Sequence, residues 1–206
     1  MNLKQEIFEH FGPTVFHRPL FYSYPGGLRF ELSTLGSTVA RFLLALRRAT
    51  AICKDIFIDE PIVVCLRAHS GTSHVEHRGK LESLKSAGIF IPAQRTIWSE
   101  EIDSEDWFCN SMPEYWVHLS FEVPMATLET LLWCALAKDF PAIQPKPYCD
   151  IYLFNLQKKV LALPYDDRGM DVVGPNRKIL SALYEKHQSY LLGYDRQAMD
   201  KCFASR

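Results

Sequence analysis

The segment Tyr165-Asp166-Asp167-Arg168-Gly169-Met170-Asp171-Val172-Val173 is the pivot of the chain. Three carboxylates and one guanidinium fall between Asp166 and Asp171. Upstream, Leu161-Ala162-Leu163-Pro164-Tyr165 reads as a strand, with Pro164 placing it at a sheet edge or a strand end. Arg168-Gly169 marks a sharp turn, with Gly169 expected at positive φ. Met170, Val172 and Val173 are β-prone again. Gly174-Pro175 then opens a helix, since proline is tolerated at a first helical position. The acidic cluster therefore sits on a tight connection, where polar groups are readily displayed.

Two chemistries fit such a turn. Asp166, Asp167 and Asp171 can begin an oxygen-ligand set for a hard cation or serve acid–base work. Alternatively, aspartates close turns through backbone amides while Arg168 pairs with a neighbouring carboxylate. The spacing matches no known metal loop, which favours the structural role. Leu28-Arg29-Phe30-Glu31-Leu32 alternates as a strand, with Arg29 and Glu31 on one face. If that strand neighbours the turn, an ion-pair network should join Arg29 or Arg168 to Asp166, Asp167, Asp171 or Asp195. Asp195-Arg196 is also the expected start of the last helix, with Asp195 as its N-cap.

Two sets of residues carry a resemblance. Leu163–Val173 (LPYDDRGMDVV) and Leu183–Phe203 (LYEKHQSYLLGYDRQAMDKCF) resemble the C-terminal signature of a bacterial family known only as a domain of unknown function. Gly27–Leu32 resembles that family's G-x-R-F-E-L element. The resemblance implies a small accessory protein of bacteria, a group that includes toxin-neutralising immunity proteins.

Outward from the pivot, helices and strands alternate. Leu3, Ile7, Phe8 and Phe11 recur at helical spacing and stop at Gly12-Pro13. Ser37 caps a helix to about Lys54, whose apolar stripe is Val39, Leu43, Leu46 and Cys53. Pro61–Leu66 is a continuous apolar run, expected of a strand covered on both faces. A loop with His69, His74 and His77 follows. Ser73 and Glu76 there form a capping box for a helix that Gly88 closes. Three histidines can ligate zinc, but no fourth ligand is evident and no metal is expected. Ile89–Ile91 and Arg95–Trp98 read as short strand pieces and Tyr115–Val123 as a long one. Met125 to Asp139 reads as a buried helix. Asp150–Phe154 and Val160–Leu163 form a hairpin. The proline-rich connection at Pro141, Pro145 and Pro147 is the best linker, yet later strands need upstream partners. One domain over residues 1–206 is expected, of class α+β, with a mixed and mainly antiparallel sheet flanked by helices.

Composition narrows the functions. The 206 residues are 48% hydrophobic, enough for a core without covalent staples. Lys+Arg total 23 against 24 Asp+Glu, which argues against a nucleic-acid binder. No apolar run approaches the ~20 residues of a membrane span. The N-terminus shows no signal segment, and the six cysteines mostly lie in apolar runs without a C-x-x-C pair. A cytoplasmic chain with reduced thiols is expected. Between Trp98 and Trp107 runs an acidic stretch, Glu100, Glu101, Asp103, Glu105 and Asp106. Aromatic anchors beside charge suggest a docking surface for a basic protein partner; the alternative is a solvated acidic loop. No nucleophile elbow, Walker loop or zinc-protease helix is present. The expectation is a non-catalytic, cofactor-free binding protein of immunity type. The alternative is a metal-dependent hydrolase or phosphotransferase using Asp166, Asp167 and Asp171.

Overall fold

Strand alternation sorts the apolar residues into two cores on opposite faces of one sheet. The computed structural model describes residues 2–71, 78–102 and 113–203. Its strands are β1 (Leu28–Glu31), β2 (Ile62–Ser70), β3 (Thr96–Glu101), β4 (Tyr115–Val123), β5 (Asp150–Asn155), β6 (Val160–Asp166) and β7 (Gly169–Val173). They form a seven-stranded sheet in the order β1-β7-β6-β5-β2-β4-β3. The α+β architecture is the expected one. Its sheet is antiparallel at every described pairing, where the sequence allowed a mixed one.

The helices are α1 (Leu3–Phe11), the short α2 (Leu20–Ser23), α3 (Thr38–Phe57), α4 (Arg78–Ser86), α5 (Leu128–Leu136), α6 (Arg177–Lys186) and α7 (Arg196–Phe203). On one face, Ile62, Val64, Leu66, Leu119, Phe121, Ile151, Leu153, Ala162, Met170 and Val172 pack against residues of α3, α5, α6 and α7. On the other, Val63, Cys65, Tyr152, Phe154, Leu161, Leu163 and Val173 meet α1, Val15, Phe16 and Leu20. This double cover explains the unbroken apolar run of β2.

Local signals set the helix ends. The Ser37 side chain accepts a hydrogen bond from the Ala40 amide at 3.3 Å and caps α3. Gly88, at φ +82°, closes the turn after α4. The buried stripe of α3 is Phe42, Ala45, Ala49, Ile52, Cys53 and Ile56, about one position round the helix from the expected one. Val39 and Leu43 are 63% and 44% exposed. Two further expectations change. Ile89–Ile91 forms no strand, although Ile89 is buried. β2 continues to Ser70, so His69 lies on a strand and not in a loop. His74, His77 and the Ser73/Glu76 pair lie outside the described residues.

The proline-rich connection is tied to the body. The Trp133 indole donates to the Gln144 carbonyl at 3.1 Å, and the Lys146 ammonium to the Phe140 carbonyl at 3.1 Å. Cys53, Cys65, Cys134, Cys149 and Cys202 are free thiols, and Cys109 lies outside the described residues. Burial pushes the Cys134 and Cys149 thiols up to about 12. Among the described residues, no helix is long and apolar enough to cross a membrane.

Candidate functional site

β1 pairs with β7 so that Arg29 stands directly opposite Asp171. Both point to the face covered by α2. The Arg29 guanidinium grips the Asp171 carboxylate bidentately, Nε to Oδ1 at 2.7 Å and Nη2 to Oδ2 at 3.0 Å. Its third nitrogen, Nη1, donates to Asp195 Oδ2 at 3.2 Å. The Phe21 amide, in α2, adds a bond to Asp171 Oδ2 at 3.1 Å, and the Tyr22 hydroxyl donates to Asp195 Oδ1 at 3.0 Å. The rings of Phe21, Tyr22 and Tyr165 surround the guanidinium at 5.0, 4.9 and 5.7 Å. Arg29 and Asp171 are 8% and 1% exposed, so the pair stands in low dielectric. Desolvation alone would lower the Arg29 pKa. The Asp171 carboxylate outweighs it and holds the guanidinium above its ordinary value.

The turn between β6 and β7 uses the other two aspartates. Asp166 Oδ1 accepts from the Arg168 and Gly169 amides at 2.8 and 3.1 Å, the aspartate turn closure expected of this residue type. Asp166 Oδ2 accepts from Arg168 Nη2 at 2.6 Å. Asp167 Oδ2 accepts from Arg41 Nη2 at 2.6 Å and from Ser33 Oγ at 3.1 Å. Asp139 stands near this pair. Desolvation, reinforced by Asp166 and Asp167, raises its carboxyl above its ordinary value against the pull of Lys138.

Several placements differ from the sequence reading. Gly169 does not take a positive φ. Its lack of a side chain serves space, since a Cβ there would overlap the Tyr165 phenol. Asp195 precedes α7, yet its carboxylate serves Arg29 and Tyr22 and not a cap. Arg196 bonds Asp200 at 2.7 Å, one turn along α7. Glu31 sits at the end of β1, half-buried, and its backbone carbonyl accepts from Arg48 at 3.0 Å.

Trp98 is only 8% exposed, which removes it as a surface anchor. Alternation along β3 turns it inward, where it stacks on His118 at 4.6 Å and meets Phe16 at 6.0 Å. Its indole donates to Glu100 at 3.0 Å. Glu100 and Glu101 therefore belong to β3, not to a loop. Asp103, Glu105, Asp106 and Trp107 lie outside the described residues.

The sequence reading also passed over Arg67. It follows the apolar run of β2, on the face carrying Cys65, and is 8% exposed. A charge inside a strand covered on both sides was the available signal.

Asp166, Asp167 and Asp171 thus turn to three different donor sets. Among the described residues, no three His, Cys, Asp or Glu side chains are grouped as ligands for one metal ion. The fold and this internally paired signature define an α+β protein whose signature carboxylates are bound by its own donors. The chain belongs to the family described as Domain of unknown function (DUF3885), whose model matches residues 3–195. It is also similar to the Uncharacterized protein YnaE of Bacillus subtilis (strain 168), at 34% identity over 70 residues, 31% of this chain and 32% of the relative. The chain thus matches about a third of that relative's length. No solved structure matches it.

Proposed function

We propose that this chain acts by binding a protein partner and not by catalysis, in the manner of an immunity protein that occupies a toxin domain. The observation that supports this most is the state of the acidic signature. Each of its carboxylates is engaged by a guanidinium, an amide or a hydroxyl of the same chain. A carboxylate committed in this way is ill placed to take a proton from substrate or to ligate a cation. The signature then serves to lock β1, β7, α2 and the start of α7 together. Such a role fits the cytoplasm, where buried thiols remain reduced.

The proposed docking surface is the outer edge of β3. Strand β1, at the other end of the sheet, is bridged by Leu191. Among the described residues, nothing pairs with the outer edge of β3. Ile97 is 46% exposed there, and grooves of about 460 and 390 Å³ flank the strand. An extended partner segment can add to such an edge through backbone hydrogen bonds. The acidic run from Glu100 to Asp106 favours a basic segment.

The test is affinity capture from the native host with the wild-type chain and with Ile97→Lys. A single partner retained in equal amount by the wild type, and lost with Ile97→Lys at unchanged melting temperature, is expected. Turnover of a substrate that Asp167→Asn abolishes, with no protein retained, would replace binding by catalysis.

A further inference from the structure

Two arginines of this sheet are equally buried and oppositely supplied. Arg29 and Arg67 are each 8% exposed and point to the same face. Arg29 has two carboxylate partners, Asp171 and Asp195. Arg67 has no hydrogen bond or ion pair among the described residues, and its Nε is sealed from solvent without an acceptor. Asp150 stands opposite Arg67 in the β2–β5 register but is taken by others. It accepts from Arg18 at 3.0 Å and from Lys138 at 2.8 Å. Three cations thus converge around one carboxylate. The buried Tyr152 hydroxyl also lacks an acceptor. Burial raises its pKa, and Arg67 opposes the rise both by its charge and as a nearby donor, although Arg67 Nε and the Tyr152 hydroxyl are each left without a partner of good hydrogen-bond geometry.

A buried guanidinium with no carboxylate of its own, facing one already shared by two other cations, is costly and is seldom left so. The Trp116 ring, 3.7 Å from the Arg67 Cζ, supplies a cation–π face but no acceptor. The same residues line a cleft of about 240 Å³, with Arg67, Trp116, Lys138, Tyr148 and Asp150 on its walls. It is smaller than the ~300–1,000 Å³ of drug-sized sites, so it suits one charged group on a short body. His69, on its rim, is already engaged by Glu114 at 3.0 Å.

We propose that this cleft is an oxyanion-binding site, in which the buried, unpaired Arg67 receives the carboxylate or phosphate group of a small ligand over the Trp116 face. The planar fork of Arg67 presents two parallel N–H donors to such a group. Lys138 adds a second positive charge at the wall. Asp150, on the same wall, holds Arg18 and Lys138 in place, and its single negative charge does not cancel theirs and that of Arg67.

The experiment titrates the full chain with sodium phosphate and, separately, sodium acetate, each against sodium chloride at equal ionic strength. Binding is followed by calorimetry and by melting temperature. A midpoint raised by phosphate, acetate or both, relative to chloride, is expected, and the active arm identifies the group. Arg67→Met should bind on the order of 30-fold more weakly, from the ~2 kcal/mol or more that truncating a charged hydrogen-bond partner costs. Without anion, Arg67→Met should melt no lower than wild type, because it removes an uncompensated charge; a purely structural arginine would give a lower midpoint. Should Arg67→Met not fold, Lys138→Met is read in its place and should also weaken binding. No shift beyond chloride in the wild type, or equal shifts in wild type and the variant, would overturn the site.

Discussion

Arg29 and Asp171 face each other across the β1–β7 ladder, and their side chains meet in a two-bond clasp of 2.7 and 3.0 Å. The clasp joins the strand from the N-terminal third to the C-terminal signature, and Asp195 ties the approach to α7 to the same guanidinium. Arg29→Lys keeps the charge but loses the fork. It is expected to lower unfolding free energy by about 2–3 kcal/mol in urea, because a buried pair deprived of good geometry leaves charge uncompensated. A loss under ~1 kcal/mol, typical of an exposed pair, would mean the clasp is solvated.

Gly169 is expected to resist substitution for lack of room. Gly169→Ala should cost about 1–3 kcal/mol through overpacking against Tyr165. In a Tyr165→Ala background the same change should cost much less. Equal costs in both backgrounds would return the constraint to the backbone.

Asp55 gives an acid-side prediction. Desolvation pushes its carboxyl up, but hydrogen bonds from Lys186 and His187, both 2.7 Å, outweigh it and hold the pKa below its ordinary value. A folded pKa below the unfolded ~3.9 contributes stability above about pH 4, lost as pH falls through the folded value. The melting advantage of wild type over Asp55→Asn should therefore shrink below about pH 4. An advantage that stays constant down to pH 3 would assign the effect of Asp55 to something other than its charge.

The proline-rich connection should not divide the chain. Its Gln144 carbonyl and Lys146 ammonium are held by hydrogen bonds, and Ile143 packs on the larger core. Limited proteolysis is expected to leave no pair of stable fragments separated near Pro145. Two such fragments would mean two folding units.

Period-two alternation made β1 legible, while β6 and β7 were legible as β-prone apolar runs bounded by Pro164 and Gly169. The turn chemistry was legible too, since an aspartate closes a turn onto amides a few residues on, as Asp166 does onto those of Arg168 and Gly169. Other features depend on neighbours that local pattern does not reveal. The stripe of α3 is centred on Ala45 and Ala49, small residues that let the helix approach the sheet, while the larger Val39 and Leu43 overhang it. Trp98 looked like an anchor beside acid until Phe16, distant in sequence, covered it. Gly169 looked like a backbone requirement, and only the fold shows the Tyr165 ring above it. Arg67 gave one signal, a charge after an apolar strand, whose meaning depends on Asp150 being claimed by Arg18 and Lys138.

The most direct test of the acidic signature as scaffold is thermal melting of the wild type, Asp167→Asn and Asp171→Asn, with and without Mg²⁺, Mn²⁺ or Ca²⁺. Scaffold carboxylates predict lower midpoints in both variants, more so for the deeply buried Asp171, and no response to metal in any of the three chains. A wild-type midpoint that rises with one of these cations, with the rise lost in both variants, would contradict the account and mark the turn as a metal site.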